Sequence, residues 1–315
     1  MNQELLTKLE ERGYAGRIVP IHHLGDLREG IEGAYQRGLI DEDVYQEYLT
    51  ALRFEPPASL PDARSLIVVA VPQPSVQFTF TWNGKETLLG VPPTYLKSQQ
   101  VDRRVEDLLA ETLHPAGYRA TLAPVPKKLL AVGSGLAAYG RNNVSYVDGM
   151  GSFYRLVAFA SDLPCPEDPW REPRMMEACQ KCTACRRKCP TGAIAAERFL
   201  LHAERCIVFH NEKPTTVPFP AWIDPAAHNC LVGCLTCQQV CPQNKDFAGW
   251  VEEGAAFSQE ETVLLLQGRA LDRLPAATAE KLKQSDLASY LEVLPRNLAV
   301  LLNAAPPAGG PQPIP

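Results

Sequence analysis

The chain has no run of about 18 apolar residues, so no segment reads as a membrane-spanning helix. It has no basic excess either. Lys and Arg number 31 against 36 Asp and Glu, and the formal net charge of −5 argues against nucleic acid, tRNA included, as an obligatory partner. No apolar signal-peptide stretch follows Met1 and no twin-arginine export signal is visible, which removes the secreted setting in which disulfide frameworks form. Cysteine is nearly missing outside one short region: of ten, only Cys165 lies outside residues 179–241. A reducing compartment, the cytoplasm, is the expected location.

The other nine cysteines form two runs that each end in Cys-Pro. The first is Cys179-x2-Cys182-x2-Cys185-x3-Cys189-Pro190, and the second is Cys234-x2-Cys237-x3-Cys241-Pro242. Three thiolates at two-residue gaps wrap the backbone around three corners of a 4Fe–4S cube, and the fourth ligates the other cluster in two-cluster ferredoxins. Proline after it donates no hydrogen bond and turns the chain away. Zinc sites normally use two Cys-x2-Cys pairs in closed sets of four, which an unbroken run does not match. Two 4Fe–4S clusters are therefore expected. By the crossing rule, Cys179, Cys182, Cys185 and Cys241 hold one, and Cys189, Cys234, Cys237 and either Cys206 or Cys230 hold the other. Cys230 is one residue out of the strict register, and Cys206 is remote in sequence. Cys165 reads as a buried thiol. Arg186, Arg187 and Lys188 lie inside the first run and read as offsets to cluster charge.

Around the cysteines the pattern mixes helices and strands, an α+β reading. Helices are expected near 2–12, 24–37, 41–54, 101–113 and 127–139, and strands at 66–71, 76–82, 118–125 and 152–161. Asn83-Gly84 signals a hairpin. Ser258 and Glu261 have capping-box spacing before a leucine-rich helix, and Pro295 interrupts a further helical stretch over 285–303. The organisation read from this is N-terminal helices (1–60), an α/β domain (61–164), a double-cluster domain (165–245), C-terminal helices (246–304) and a disordered proline- and glycine-rich tail (305–315). Gly133 and Gly135 fall mid-helix in this reading, where glycine costs roughly 1 kcal/mol relative to alanine. With Gly140, Gly149 and Gly151 they suggest either tight helix packing or the approach of a large flat group. His22, His23 and His210 invite a ligand reading, although a hydrogen-bonding role is the plainer one.

Four segments together resemble the cobalamin-dependent, iron–sulfur epoxyqueuosine reductases and the related reductive dehalogenases. They are Ala123-Pro-Val running into the glycine-rich stretch 130–140 with Arg141, Asn142 and Asn143; Gly151-Ser-Phe-Tyr-Arg-Leu with Ser161-Asp-Leu-Pro; the cysteine array; and Leu294-Pro-Arg-Asn-Leu-Ala-Val-Leu-Leu302. The resemblance covers roughly residues 60–302. It implies a nitroreductase-like α/β domain holding a corrinoid, then a bacterial-ferredoxin-like double-cluster domain that feeds it electrons. It points to Cys206 as the eighth cluster ligand, and to Gly133, Gly135, Gly140, Arg141, Asn142, Gly151 and Ser152 as cofactor-binding positions.

One departure matters. The reductases carry a proton-donating aspartate where this chain has Thr121, and a threonine hydroxyl is too weak an acid for that task near neutral pH. The dehalogenases use a tyrosine helped by a cation, which makes Tyr139 with Arg141, and Tyr95, the candidate catalytic residues. The leading expectation is an iron–sulfur oxidoreductase with two 4Fe–4S clusters and a corrinoid, acting on a small or nucleoside-like substrate and drawing on a ferredoxin- or flavodoxin-type donor. The alternative is an electron-transfer or reductive-activation protein with no substrate of its own. A flavin in the α/β domain is a third reading.

Overall fold

Residues 66–71 are six apolar residues in succession, a pattern that suits a strand covered on both faces. In the computed structural model, which describes residues 1–303, they are the centre of β2 (Ser65–Pro72), where every residue but Pro72 is buried. The tail expected at 305–315 lies outside the described residues. The chain divides into two units. The first comprises Met1–Gln73, Ser98–Arg187 and Ile194–Ala203, and the second Pro74–Lys97, Lys188–Ala193 and the chain from Glu204 onward.

The first unit is built on an antiparallel sheet in the order β1 (Ala15–Pro20), β2, β8 (Tyr154–Ser161), β5 (Ala120–Leu122). Ser65 pairs with Ser161 across β2 and β8, and Ala15 with Ala70 across β1 and β2. Alternate side chains of β2 leave on opposite faces. Leu66, Val68 and Ala70 pack with α2 (Leu24–Gln36) and α5 (Lys127–Gly133). Ile67, Val69 and Val71 pack with α1 (Asn2–Glu11) and α4 (Ser98–Leu113). The unit is thus three layers deep. A short α3 (Glu42–Val44), capped by the Asp41 carboxylate, continues into a wider turn over Tyr45–Leu49, so the helix expected near 41–54 is brief. The strand expected over 118–125 shrinks to β5, because Pro124 and Pro126 have no N–H for a ladder. The two-residue strands β6 (Ala138–Tyr139) and β7 (Ser145–Tyr146) pair after the glycine-rich stretch. The last element of this unit, α6 (Ala184–Lys188), carries Cys185.

In the second unit β3 (Ser75–Trp82) and β4 (Lys85–Val91) form the expected hairpin. Asn83 and Gly84, both at positive φ (50° and 70°), supply the backbone twist that a two-residue turn requires. Strand β9 (Val251–Phe257) runs parallel to β3, so residues 246–304 are not helical throughout. Phe78, Phe80 and Phe257 are buried against α9 (Gln259–Leu266), α10 (Ala276–Gln284) and α11 (Leu294–Leu301). The Ser258–Glu261 capping box is present. Pro295 opens α11 instead of interrupting a helix, since the first turn needs no N–H from it. Two strand pairings redraw the expected domains. Residues 1–60 contribute β1 to the first sheet, and the hairpin, expected inside 61–164, joins β9 in the second unit. The cysteine region is shared between the units.

Short helices α7 (Ile207–Asn211) and α8 (Thr236–Gln239) are the main regular structure in the cysteine loops of this unit. Their carbonyls therefore need side-chain donors. Arg296 on α11 is 8% exposed. Its Nη2 donates to the carbonyls of His210 and Lys213 (2.8 Å each), and its Nη1 to those of Pro214 and Val217. The guanidinium also lies 4.0 Å over the Phe219 ring, and burial lowers its pKa to about 10. Asn297 donates to Asn211 O (2.8 Å) and Leu231 O (2.7 Å).

Replacing Arg296 by methionine keeps the stem and removes the donor. Each carbonyl orphaned costs about 1–3 kcal/mol before water relieves it, so a net loss on the order of 3 kcal/mol is expected. It would be read as a lower thermal midpoint of the cluster-loaded protein. An unchanged midpoint would mean that water satisfies these carbonyls as well as the guanidinium does.

Candidate metal centre

In the first unit, β6 fixes the chain that enters the first cysteine run. Tyr139 N–H donates to Arg174 O (3.0 Å), and Met176 N–H donates to Tyr139 O (2.9 Å). Arg141, two residues on, spreads its guanidinium over the run itself. Nε donates to Cys182 O (3.0 Å), and Nη2 to Cys179 O (2.6 Å) and Gln180 O (3.2 Å). Cys179 and Cys185 are buried and Cys182 is half-buried. Asn143, held at positive φ (56°), donates to Phe199 O (2.9 Å) and accepts from Leu201 N–H. Arg198 adds bonds to the carbonyls of Leu39, Leu200 and Leu201.

In the second unit, Cys206 is half-buried. Burial is the main cause of its pKa rising to about 12; a backbone bond from Val208 opposes the rise, and the nearby Cys234 and Cys189 add to it. Cys230 is buried and rises to about 12, again mainly through burial, with Cys234 adding to the rise. Its thiol donates to Asn229 Oδ1 (3.1 Å). Asn229 also organises the second run: Nδ2 donates to Cys234 Sγ (3.2 Å) and Thr236 Oγ1 (3.0 Å), while Oδ1 accepts from Leu235 N–H (3.1 Å). Asn211 exchanges two bonds with Gly233, the residue before Cys234. His210 Nε2 reaches Glu204 O (2.8 Å) across the turn that holds Cys206, a loop-bracing contact.

All ten cysteines are free thiols. Buried thiols whose neighbours raise their pKa ionise readily only when a cation replaces the proton. Soft thiolate sets of this kind suit iron–sulfur clusters. The donors present fit the expected group. Cys165 is half-buried, packs with the α1–α4 core and donates to Glu167 O (3.1 Å).

The cofactor-binding positions expected from the glycine-rich stretch are placed differently from a helix interior. Helix α5 ends at Gly133, and Gly135 lies beyond it at φ 77°. A Cβ on Gly133 would come within 2.5 Å of the Trp170 ring, and one on Gly135 within 2.9 Å of the Arg171 guanidinium. Close approach does demand glycine here, and side chains of the same chain make it. Gly140 packs on Asn142 and Tyr146; Asn142, buried, donates to Tyr146 OH (3.1 Å). Gly151 (φ 55°) bridges to Val147, and Ser152 is buried beside it. Tyr139 packs edge-on against Phe199, and burial pushes its phenol well above the ordinary range. The Tyr95 hydroxyl donates to Glu212 while its ring covers Gly233, and burial, more than the Glu212 charge, drives its pKa up strongly. Asn211, Glu212 and Asn229 carried no sequence signal beyond standing within six residues of a cysteine.

Residues 178–244 match the protein family described as a 4Fe–4S double cluster binding domain. The epoxyqueuosine reductase of Escherichia coli strain K12 is 31% identical over 199 residues, covering 58% of this chain and 47% of that protein. That of Staphylococcus aureus is 26% identical over 236 residues, 70% of this chain and 58% of its own length. The chain thus spans about half the length of the curated relatives it matches. Among solved structures, epoxyqueuosine reductase from Streptococcus thermophilus superposes with a TM-score of 0.64 at 17% identity, over 96% of this chain and 81% of that one. The Bacillus subtilis enzyme gives 0.66 at 20% identity, over 95% and 80%. An epoxyqueuosine reductase solved with an epoxyqueuosine-modified tRNA stem loop gives 0.66 at 21%, over 95% and 80%. The chain therefore has the epoxyqueuosine reductase fold, resembles those reductases in sequence, and carries a 4Fe–4S double cluster binding domain.

Proposed function

We propose that this protein is an iron–sulfur oxidoreductase of the epoxyqueuosine reductase type, in which Cys179, Cys182, Cys185 and Cys241 hold one 4Fe–4S cluster and Cys189, Cys206, Cys234 and Cys237 the other. The observation that carries the reading is the nearness of half-buried Cys206 to both Cys189 and Cys234, whereas the Cys230 thiol, near Cys234 as well, donates to Asn229. The clusters supply one-electron transfer when bound. The chain's own part is to hold the loops still and to offset negative charge. Arg141 does both, since its guanidinium bonds three carbonyls of the first run. It is a positioning residue for that cluster rather than a proton donor.

In the reductase reading Gly140, Asn142, Gly151 and Ser152 would hold a corrinoid, and Tyr139 would supply a proton in the place of the aspartate that the resemblance puts at Thr121. The nitroreductase-like character of the first unit, a reduced low-potential carrier as donor, and a nucleoside-like substrate, on tRNA or free, follow from the same resemblance. A second reading has a specific observation in its favour. Trp170 and Arg171 fill the space beside Gly133 and Gly135, and Tyr139 is a weaker acid than an exposed phenol. Both features suit an electron-transfer protein whose clusters serve a partner's cofactor.

Anaerobic reconstitution with iron, sulfide and cobalamin, then desalting and metal analysis, tests both. About eight irons per chain are expected in either case. One cobalt with a base-off cobalt(II) EPR signal supports the reductase. Eight irons without cobalt leave the electron-transfer reading, and markedly fewer irons sink both.

The ligand assignment has its own test. Cys206→Ser should lose about four irons or convert one cluster, and Cys230→Ser should keep about eight. The reverse pattern would exchange their roles.

Arg141→Gln should lower the midpoint potential of one cluster by several tens of millivolts and leave the other unmoved, because a positive charge beside the cluster favours its reduced form. Equal potentials in mutant and wild type would reduce Arg141 to a structural brace.

A further inference from the structure

Outside the cysteine loops, one group of potential metal ligands converges among the described residues: His22, His23 and Asp168 of the first unit, whose ligand atoms all lie within 4.8 Å of one another. His23 Nε2 is 2.8 Å from Asp168 Oδ1, and His22 Nε2 is 3.6 Å from Asp168 Oδ2. Ligands of a tetrahedral zinc at bonds of about 2.0–2.1 Å stand roughly 3.3 Å apart, a spacing these two distances straddle.

The second nitrogen of His23 is already engaged. Nδ1 lies 2.6 Å from Asp26 Oδ2, the outer carboxylate that fixes the tautomer of a metal-bound histidine and strengthens it as a donor. The His23 side chain is 5% exposed and its ring stacks on Trp170 (4.2 Å, 12°), so its direction is set before any ion arrives. His22 and Asp168 are 66% and 44% exposed, which leaves an entry path and room for water as the fourth ligand.

A salt bridge alone accounts for His23 between two carboxylates. It does not account for His22, a second imidazole 4.2 Å away that faces the same carboxylate. Two imidazolium ions side by side repel, whereas two neutral imidazoles and one carboxylate are an ordinary donor set for zinc. We propose that His22, His23 and Asp168 bind one borderline divalent cation of the zinc class, with Asp26 as the carboxylate behind His23. The two carboxylates balance its double charge. The ion would tie the start of α2 to the irregular segment 164–174 that leads into the first cysteine run.

The test uses the full chain with its clusters assembled, stripped with EDTA, then dialysed anaerobically against zinc chloride. One zinc per chain beyond the iron complement is expected, with nitrogen, oxygen and imidazole scattering and no sulfur in the zinc EXAFS. His22→Ala, at an exposed position, should keep its iron and weaken zinc binding at least tenfold; Asp26→Asn should weaken it about 10–100-fold. Equal zinc uptake by wild type and His22→Ala, sulfur in the zinc shell, or no uptake at 100-fold excess would overturn the site.

Discussion

The cysteine loops cannot satisfy their own backbone. Ligand spacing dictates tight, irregular turns around each cluster, and irregular turns leave carbonyls with no helix or sheet partner. Planar donors carried on better-ordered elements take them up. In the second unit α11 presents Arg296 to four carbonyls and Asn297 to two more. In the first unit the turn after β6 presents Arg141 to the carbonyls of Cys179, Gln180 and Cys182. Arginine suits the task because its fork of donors spans several acceptors at once and its charge survives burial better than an ammonium. The Leu294-Pro-Arg-Asn segment is then intelligible physically: proline starts the helix, and the next two side chains brace the loop.

The same donors decide the electrostatics. Thiols enclosed as Cys206 and Cys230 are resist ionisation, each rising to about 12. Iron supplies the compensating charge locally, and Arg141 supplies a fixed charge beside the first run. Asn229 refines the second run with a neutral donor, its amide pointing at Cys234 Sγ. Hydrogen bonds to sulfur and nearby cations are the means by which a protein sets cluster potentials. Each run is accordingly held by a different kind of donor, a cation at Cys179–Cys182 and an amide at Cys234.

Much of this was legible in the sequence where the signal is local. The Cys-x2-Cys-x2-Cys-x3-Cys-Pro spacing, the Asn83-Gly84 turn and the Ser258–Glu261 cap each act over a few residues, and each is where expected. What local spacing does not encode depends on partners far along the chain. Strand β1 lies between two expected helices and becomes a strand where β2 offers it an edge. Strand β9, Val251–Phe257, begins Val-Glu-Glu-Gly and becomes a strand only beside β3. Asn229 and Glu212 matter through bonds that no spacing rule encodes. The glycine-rich stretch misled for the opposite reason. Its helical periodicity continues past Gly133, but the backbone turns left-handed at Gly135 and admits Arg171.

That turn bears on the chemistry. If the glycines exist to admit Trp170 and Arg171, their requirement is explained without a bound ring, and the resemblance at this stretch reports a shared backbone path more than a shared cofactor. Trp170 in turn stacks on His23, which Asp26 and Asp168 grip from both sides. The segment before the first cysteine run is therefore anchored by the Trp170 wedge, by Arg171, whose Nη2 donates to Gly135 O (3.0 Å), and by His23 between carboxylates. Rigid packing around the entry to the cluster loop favours moving electrons with little rearrangement. Beside it, burial makes the Tyr139 phenol a reluctant proton donor.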